Sequence, residues 1–164
     1  MPQNDPERML GFVIHDVSRL LRRRYEQYAR DEGLGLTRTQ CSVLAHLARQ
    51  EGVNQATLAQ ILDIEPITLV RLLDRLEEAG FIQRKPDPQD RRAYVLELTV
   101  KAGPMLERIY ELAAKVYDEA QAGLSKAETA QMLALLHRTK ANLARRTNEA
   151  GAPAAGPARR KRQA

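Results

Sequence analysis

Apolar residues recur every three or four positions along most of this chain, which is the spacing of an α-helix that buries one side. The longest such run follows Asp5 and Pro6 and continues until Gly33 and Gly35 interrupt it. Each later run opens with threonine, asparagine, proline or serine, which are typical of helix starts. The pattern therefore predicts helices over residues 5–33, 37–52, 54–62, 66–79, 99–122 and 125–146.

Residues 81–98 depart from the helical pattern. "FIQRK" (81–85) and "YVLEL" (94–98) alternate in the manner of β-strands. Between them, "PDPQDRRA" holds two prolines, two aspartates and two arginines. We interpret this segment as a β-hairpin with a long, charged tip, in a chain that is otherwise mostly α-helical.

The helices predicted at 54–62 and 66–79 are joined by a few residues, which is the outline of a helix-turn-helix. One side of the second helix is apolar and is expected to be buried: Leu69, Leu72, Leu73 and Leu76. The opposite side carries Ile67, Arg71, Asp74, Arg75 and Glu78, with Thr68 at the margin. A hairpin directly after a helix-turn-helix is a wing, so double-stranded DNA is the expected partner.

The outward side of the second helix offers residues suited to base edges in the major groove. Arg71 can form paired hydrogen bonds with guanine, and Thr68 can donate, accept or contact a thymine methyl group. Ile67 and Arg75 complete this predicted contact surface. The alternative is a solvated surface on which both arginines pair with acidic neighbours of the same helix. The hairpin that follows favours DNA binding.

The tip of the hairpin suits a minor groove. Pro86 and Pro88 stiffen the approach, and Arg91 and Arg92 supply positive charge where an A·T-rich groove concentrates negative potential. Asp90 can hydrogen-bond a neighbouring guanidinium and hold its orientation. The alternative is a solvated loop whose charges cancel one another.

Charge and composition change this picture only slightly. Apolar residues make up 43% and charged residues 29% of the 164 positions, as in one ordinary globular domain. The net charge of +5 comes mostly from the motif "RRKR" in the tail at 151–164, which is rich in glycine, alanine and proline. We expect this tail to be disordered, and its role stays open. DNA binding must therefore be judged from where the arginines of residues 1–150 lie.

Three stretches carry a resemblance to a known family: "GLTRTQ", "LVRLLDRLEEAGFIQRK" and "DPQDRRAYVLELT". They resemble the MarR family of winged-helix regulators, and "IEPITLVRLLDRLEEAGFI" is particularly similar to its SlyA branch. The resemblance runs from about Glu7 to Arg146 and implies a single MarR-like domain. Residues 37–98 would form its winged helix-turn-helix DNA-binding region, and residues 5–33 and 99–147 would be dimerisation helices.

The family's arrangement implies a homodimer whose two recognition helices enter successive major grooves of a pseudo-palindromic operator. Arg71 matches the arginine expected at base edges, with Thr68 one turn earlier, and Arg91 and Arg92 match the wing pair with Asp90 as its orienting partner. This chain reads Pro-Ile-Thr at the start of the helix, where SlyA-like sequences often have a polar residue, then proline, then serine. The operator sequence therefore cannot be carried over from relatives.

The terminal helices support a dimer independently of the resemblance. They carry more apolar surface than a small winged domain can cover. Leu133, Leu136 and Leu143 of the last helix fit a stripe that faces a partner. The alternative is that the same stripe packs within one chain.

Many MarR proteins release DNA when a small aromatic carboxylate, a related thioester or an oxidant binds. The candidate pocket residues here are His15 and Arg19, one turn apart on the first helix, with Cys41 and His46 on the second. A histidine–arginine pair in an apolar crevice can hold a carboxylate. The alternative is that His15 and Arg19 are ordinary, partly exposed residues. Cys41, at the start of a capped helix, is more typical of a small buried filler than of a redox sensor.

Other function classes lack support in the sequence. There is no phosphate-binding glycine loop, nucleophile elbow or catalytic carboxylate pair, and the three histidines lack metal-ligand spacing, so no enzyme, metal or cofactor is predicted. No signal peptide or membrane span is recognisable, so we expect a cytoplasmic protein. The favoured function is a ligand-released repressor. A ligand-independent architectural or anti-silencing DNA binder and a helical protein-binding adaptor stay open as alternatives.

Overall fold

A computed structural model of the chain describes residues 6–50, 52–87 and 94–151. The chain divides into two compact units, with the boundary after Ala120. The first unit contains α1 (Pro6–Asp31), α2 (Arg38–Arg49), α3 (Gln55–Leu62), α4 (Pro66–Glu78), β1 (Ile82–Pro86), β2 (Tyr94–Leu98) and α5 (Ala102–Ala120). The second unit contains α6 (Lys126–Gly151). The mostly helical fold with one hairpin confirms the predicted fold class.

Side-chain caps start α2 and α3 where the sequence predicts them. The Thr37 hydroxyl accepts from the Gln40 N–H at 3.3 Å, and the Gln40 side-chain oxygen accepts from the Thr37 N–H at 2.9 Å. The Asn54 side chain accepts from the Thr57 N–H at 2.9 Å and caps α3. Asp63 ends α3 in the left-handed region, with φ of 50°, which turns the chain into α4. Local backbone and capping signals therefore start α3 at Asn54 and end it at Asp63, and Pro66 opens α4 without a side-chain cap.

The core of the first unit is aliphatic and centres on α2, α4 and β2. Its most deeply buried side chains include Val43, Leu44, Leu47, Leu58, Leu69, Leu73, Leu76, Leu96 and Leu112. The prediction for α4 was right for Leu69, Leu73 and Leu76, whereas Leu72 is only partly buried. At 100° per residue, Leu72 lies at the edge of the stripe that the other three define.

β1 and β2 form an antiparallel hairpin with the register Ile82↔Leu98 through Pro86↔Tyr94. The first strand lies one residue later than predicted, because Phe81 instead packs into the core. On its other edge, β2 meets the segment before α3. The Gly52 N–H donates to the Leu96 carbonyl and the Leu96 N–H donates to the Val53 carbonyl, both at 3.3 Å. The hairpin is thereby joined to the helix-turn-helix.

The helix predicted to start at Thr99 begins three residues later. The Thr99 hydroxyl donates to the Gly80 carbonyl at 2.6 Å, and the Thr99 N–H donates to the Phe81 carbonyl at 3.0 Å. Thr99 therefore closes the base of the hairpin. Pro104 lies in the first turn of α5, where the backbone N–H has no helical partner and proline is tolerated.

Polar contacts join the long helices α1 and α5. The Arg24 guanidinium contacts the Glu119 carboxylate at 2.6 and 2.7 Å. One turn from the end of α5, Lys115 pairs with the Glu32 carboxylate at 2.5 Å, and Arg108 donates to the Glu32 carbonyl at 3.0 Å. Lys115 and Arg108 lie at the C-terminal end of α1, where positive charge is favoured by the helix dipole.

Within its described residues, the second unit contains one long helix, α6, and the predicted capping box at its start is confirmed. The Ser125 hydroxyl accepts from the Glu128 N–H at 3.3 Å, and the Glu128 carboxylate accepts from the Ser125 N–H at 2.8 Å. α6 runs to Gly151, beyond the predicted end near Arg146. Within the part of the chain that the structure describes, no helix is long and apolar enough to cross a membrane.

Candidate nucleic-acid interface

α4 presents its outward side to solvent because its inward side is filled with leucine. Leu69, Leu73 and Leu76 are fully buried against the core. On the opposite side, the Ile67 side chain is 64% exposed, and Thr68 is exposed beside it. An exposed isoleucine at the start of a helix is able to contact a thymine methyl group.

Arg71 and Arg75 lie on the same outward side and are both exposed. Among the described residues, neither side chain makes a hydrogen bond or an ion pair. The alternative in which they pair with acidic neighbours on α4 therefore has no support in the structure. Two unpaired guanidinium groups one turn apart leave their donors available for phosphate oxygens or guanine edges.

Arg84 of β1 binds two of the acidic side chains of α4. Its guanidinium contacts the Asp74 carboxylate at 2.6 Å and also bonds the Glu77 carboxylate. The Arg84 backbone N–H donates to Glu77 as well, at 3.0 Å. Sequence analysis missed this residue. The available signal was the three-residue spacing of Asp74 and Glu77, which makes the two carboxylates neighbours on α4. Two neighbouring negative charges favour a cation close by.

The tip of the hairpin, residues 88–93, lies outside the described residues. The predicted contact residues Arg91 and Arg92, the orienting Asp90 and the stiffening Pro88 all fall there, so their roles stay predictions. At the described base of the hairpin, Lys85 pairs with Glu97 at 2.5 Å across the strands. This contact with Lys85 holds the pKa of Glu97 below its ordinary value.

The four predicted pocket residues occupy different environments. His15 and Arg19 are both exposed on α1, and the Arg19 guanidinium pairs with Asp16 at 2.9 Å. On α2, Cys41 is buried and His46 is partly buried. The His46 Nε2 atom has no hydrogen-bond partner within the described chain. No contact between the α1 pair, His15 and Arg19, and the α2 pair, Cys41 and His46, is observed among the described residues. A pocket formed by all four therefore stays a prediction.

Cys41 has the properties of a packed residue rather than a reactive one. Its side chain is 3% exposed, and burial raises the pKa of its thiol. The neighbouring Tyr25 hydroxyl is also buried, which raises the pKa of Tyr25 as well. Because the thiolate is the reactive form, a raised pKa disfavours oxidation of Cys41.

A cleft between α1 and α5 was not foreseen from the sequence. It has a volume of about 330 Å³, and its walls are mostly aliphatic: Val17, Leu20, Leu21, Val116 and Ala120. Arg24 and Glu119 lie at its polar side, where Tyr28 also bonds Glu119. The Arg24 and Tyr28 hydrogen bonds lower the pKa of Glu119 to about 2. The carboxylate therefore stays charged at neutral pH.

Comparison with known proteins agrees with this geometry. The model of the MarR family matches residues 36–94, which span α2 to the start of β2. A transcriptional regulatory protein for the hcr operon of Thauera aromatica is 33% identical over 104 residues. That match covers 63% of this chain and 63% of the relative, so the chain spans just under two thirds of its length.

Solved structures resemble a larger part of the chain. The crystal structure of the transcriptional regulator PA3341 is 34% identical, covers 83% of this chain and 98% of its own, and has a TM-score of 0.70. A cysteine-to-serine mutant of MarR from E. coli, complexed with operator DNA, is 27% identical with a TM-score of 0.67 and covers 79% of this chain and 92% of its own. A MarR-family regulator from Silicibacter pomeroyi is 23% identical with a TM-score of 0.74, and covers 87% of this chain and 94% of its own, which shows the shared fold.

Proposed function

This chain belongs to the MarR family of transcriptional regulators, and we propose that it acts as a homodimeric repressor on a pseudo-palindromic operator, released by a small ligand. The proposal of sequence-specific repression rests on the exposed side of α4. There, Arg71 and Arg75 are held in water without acidic partners among the described residues. Membership of the SlyA branch stays a prediction from the sequence.

α4 is the element proposed to enter the major groove. Arg71 lies one turn into the helix, where its guanidinium reaches guanine, while Thr68 and Ile67 precede it and reach a neighbouring base pair. Arg75 lies one turn further on and reaches a phosphate. The E. coli MarR mutant, which was crystallised with operator DNA, supports this use of the shared fold. Arg91 and Arg92 are the proposed minor-groove contacts, oriented by Asp90.

The homodimer is proposed because α1 keeps an apolar surface in water. The Phe12 side chain is 75% exposed, and Val13, Val17 and Leu20 are each about half exposed. α6, taken by itself, exposes Leu133, Leu135 and Leu136 as well. Contiguous apolar surface of this kind on a soluble regulator marks an interface, and a second copy of the chain is the occupant that also supplies a second α4.

The small-molecule effector is proposed to be an aromatic carboxylate or a thioester related to one. His15 and Arg19 lie one turn apart on α1, with Cys41 and His46 on α2 as further pocket residues. The pairing of Arg19 with Asp16 is solvent-exposed, so it contributes little and can be exchanged for a ligand carboxylate. A ligand that binds the native dimer should raise its melting temperature in a concentration-dependent way.

Selection of DNA from a random pool tests the proposed function. The purified wild-type protein is expected to enrich an inverted repeat with half-sites about one helical turn, or roughly 34 Å, apart. An Arg71→Ala/Arg92→Ala variant should lose this enrichment. The matched control is Arg49→Ala/Arg138→Ala, which removes two arginines from α2 and α6 and should retain it. Failure of the folded wild-type protein to enrich any sequence at low salt would contradict sequence-specific regulation.

A further inference from the structure

Arg84 links the strand that follows the recognition helix to that helix. Only 21% of its side chain is exposed, whereas 58% of Asp74 and 38% of Glu77 are exposed. All three of its contacts go to α4: the guanidinium binds both carboxylates, and the backbone N–H donates to Glu77. A cation this well connected has a fixed position relative to the helix.

The backbone of Arg84 is free to face α4 because of the strand register. Arg84 lies opposite Leu96, and Leu96 uses its own N–H and carbonyl for Val53 and Gly52. In an antiparallel pair, residues that do not bond each other direct their backbone groups away from the pair. The outward N–H of Arg84 therefore meets Glu77, and the edge of the hairpin is held against the recognition helix.

The charges explain what this contact does for DNA binding. The exposed part of α4 carries two arginines, Arg71 and Arg75, but three carboxylates, which include Glu78. Asp74 lies three residues after Arg71. Without Arg84, the Asp74 carboxylate could pair with the Arg71 guanidinium across one turn of the helix. Free carboxylates would also repel DNA phosphates. Arg84 removes both problems by binding Asp74 and Glu77 from the side of the hairpin.

We propose that Arg84 is a positioning residue for DNA binding, which takes up the Asp74 and Glu77 carboxylates of α4 so that Arg71 stays available to the nucleic acid. This inference rests on the proposed DNA-binding function. Arg84 acts through α4 and does not contact DNA itself. Its effect is therefore on the charge of the recognition surface rather than on the number of phosphate contacts.

Binding of the selected operator by a set of variants, measured by fluorescence anisotropy, tests the role of Arg84. Arg84→Ala should weaken binding about tenfold or more, whereas Lys85→Ala should weaken it less than about threefold. Lys85→Ala is a matched control, because it also removes one cation of β1 and frees one carboxylate, Glu97, away from α4. Arg84→Lys keeps the charge with fewer donors and should bind with intermediate affinity.

A rescue experiment separates charge masking from a purely structural role. In Asp74→Asn/Glu77→Gln/Arg84→Ala the two carboxylates that Arg84 binds are gone, so affinity should recover to within about threefold of wild type. Asp74→Asn/Glu77→Gln alone keeps Arg84 and should bind DNA as tightly as wild type or more tightly. This second variant keeps the proposal testable if Arg84→Ala fails to fold, which circular dichroism and thermal melting would reveal.

The outcomes distinguish this inference from the proposed function. If the wild-type protein binds no operator, the DNA-binding function fails and the variants are irrelevant. If the wild-type protein binds but Arg84→Ala and Lys85→Ala are equally mild, or the neutralised variants of α4 are folded and bind about tenfold more weakly, the role assigned to Arg84 is overturned.

Discussion

The recognition helix α4 and the first helix α1 are both amphipathic, yet they use their two sides differently. α4 buries Leu69, Leu73 and Leu76 within its own unit and exposes arginine, whereas the first half of α1 leaves its apolar residues in water. The core around α4 is therefore closed within one chain. α1 has apolar surface in excess of what its own unit covers. The comparison indicates that one helix is built for a polar partner and the other for an apolar one.

The largest expected effect comes from the buried side of α4. Leu73→Ala removes a fully buried side chain and should lower the free energy of unfolding by about 2–5 kcal/mol, because the core cannot close the cavity. Ile67→Ala is the control on the exposed side of the same helix and should change stability by less than about 0.5 kcal/mol. Urea denaturation measures both. Equal losses would contradict the assignment of the two sides.

The next effect concerns the apolar side of α1. Val17→Glu should weaken the dimer by about 3 kcal/mol, or roughly a hundredfold in dissociation constant, because it loses apolar burial and places a charge in the interface. Ser18→Glu is the control at the neighbouring, exposed position. Sedimentation equilibrium reports the dissociation constant. A wild-type protein that is monomeric at micromolar concentration would contradict the homodimer.

The smallest effect concerns the contacts between α1 and α5. The pKa of Glu119 is lowered from its ordinary value of 4.5 to about 2, first by Arg24 and then by Tyr28. A carboxylate whose pKa is lowered on folding stabilises the folded state at pH values above its ordinary pKa. This contribution is lost as the pH falls from about 4.5 towards 2. Glu119→Gln should therefore lower the melting temperature slightly at pH 7 and progressively less as the pH falls. A difference that grows on acidification would contradict this pairing.

The local signals of the sequence predicted most of the elements. Capping residues such as Thr37, Asn54 and Ser125 act within three residues of themselves, so their effects can be inferred without a fold. The role of Thr99 could not be inferred in this way, because its hydroxyl donates to the Gly80 carbonyl across the base of the hairpin. The start of α5 was therefore misplaced by a tertiary contact that the capping pattern does not contain.

The candidate site follows the same division. The exposed positions of Ile67, Thr68 and Arg71 follow from helical periodicity, because the leucines fix which side of α4 is buried. The role of Arg84 depends on a contact between a strand and a helix, which periodicity alone does not specify. Sequence analysis therefore found the residues that face outward and missed the one that keeps their charges available.

Titration of the selected operator and of random DNA with wild-type protein and Arg71→Ala tests the central claim most directly. If Arg71 reads a base edge, the variant should lose about 1–3 kcal/mol on the operator, with relaxed discrimination at one base pair in each half-site and a smaller loss on random DNA. Arg49→Ala should match the wild type on both. An equal loss on operator and random DNA, or no loss on either, would contradict sequence recognition by α4.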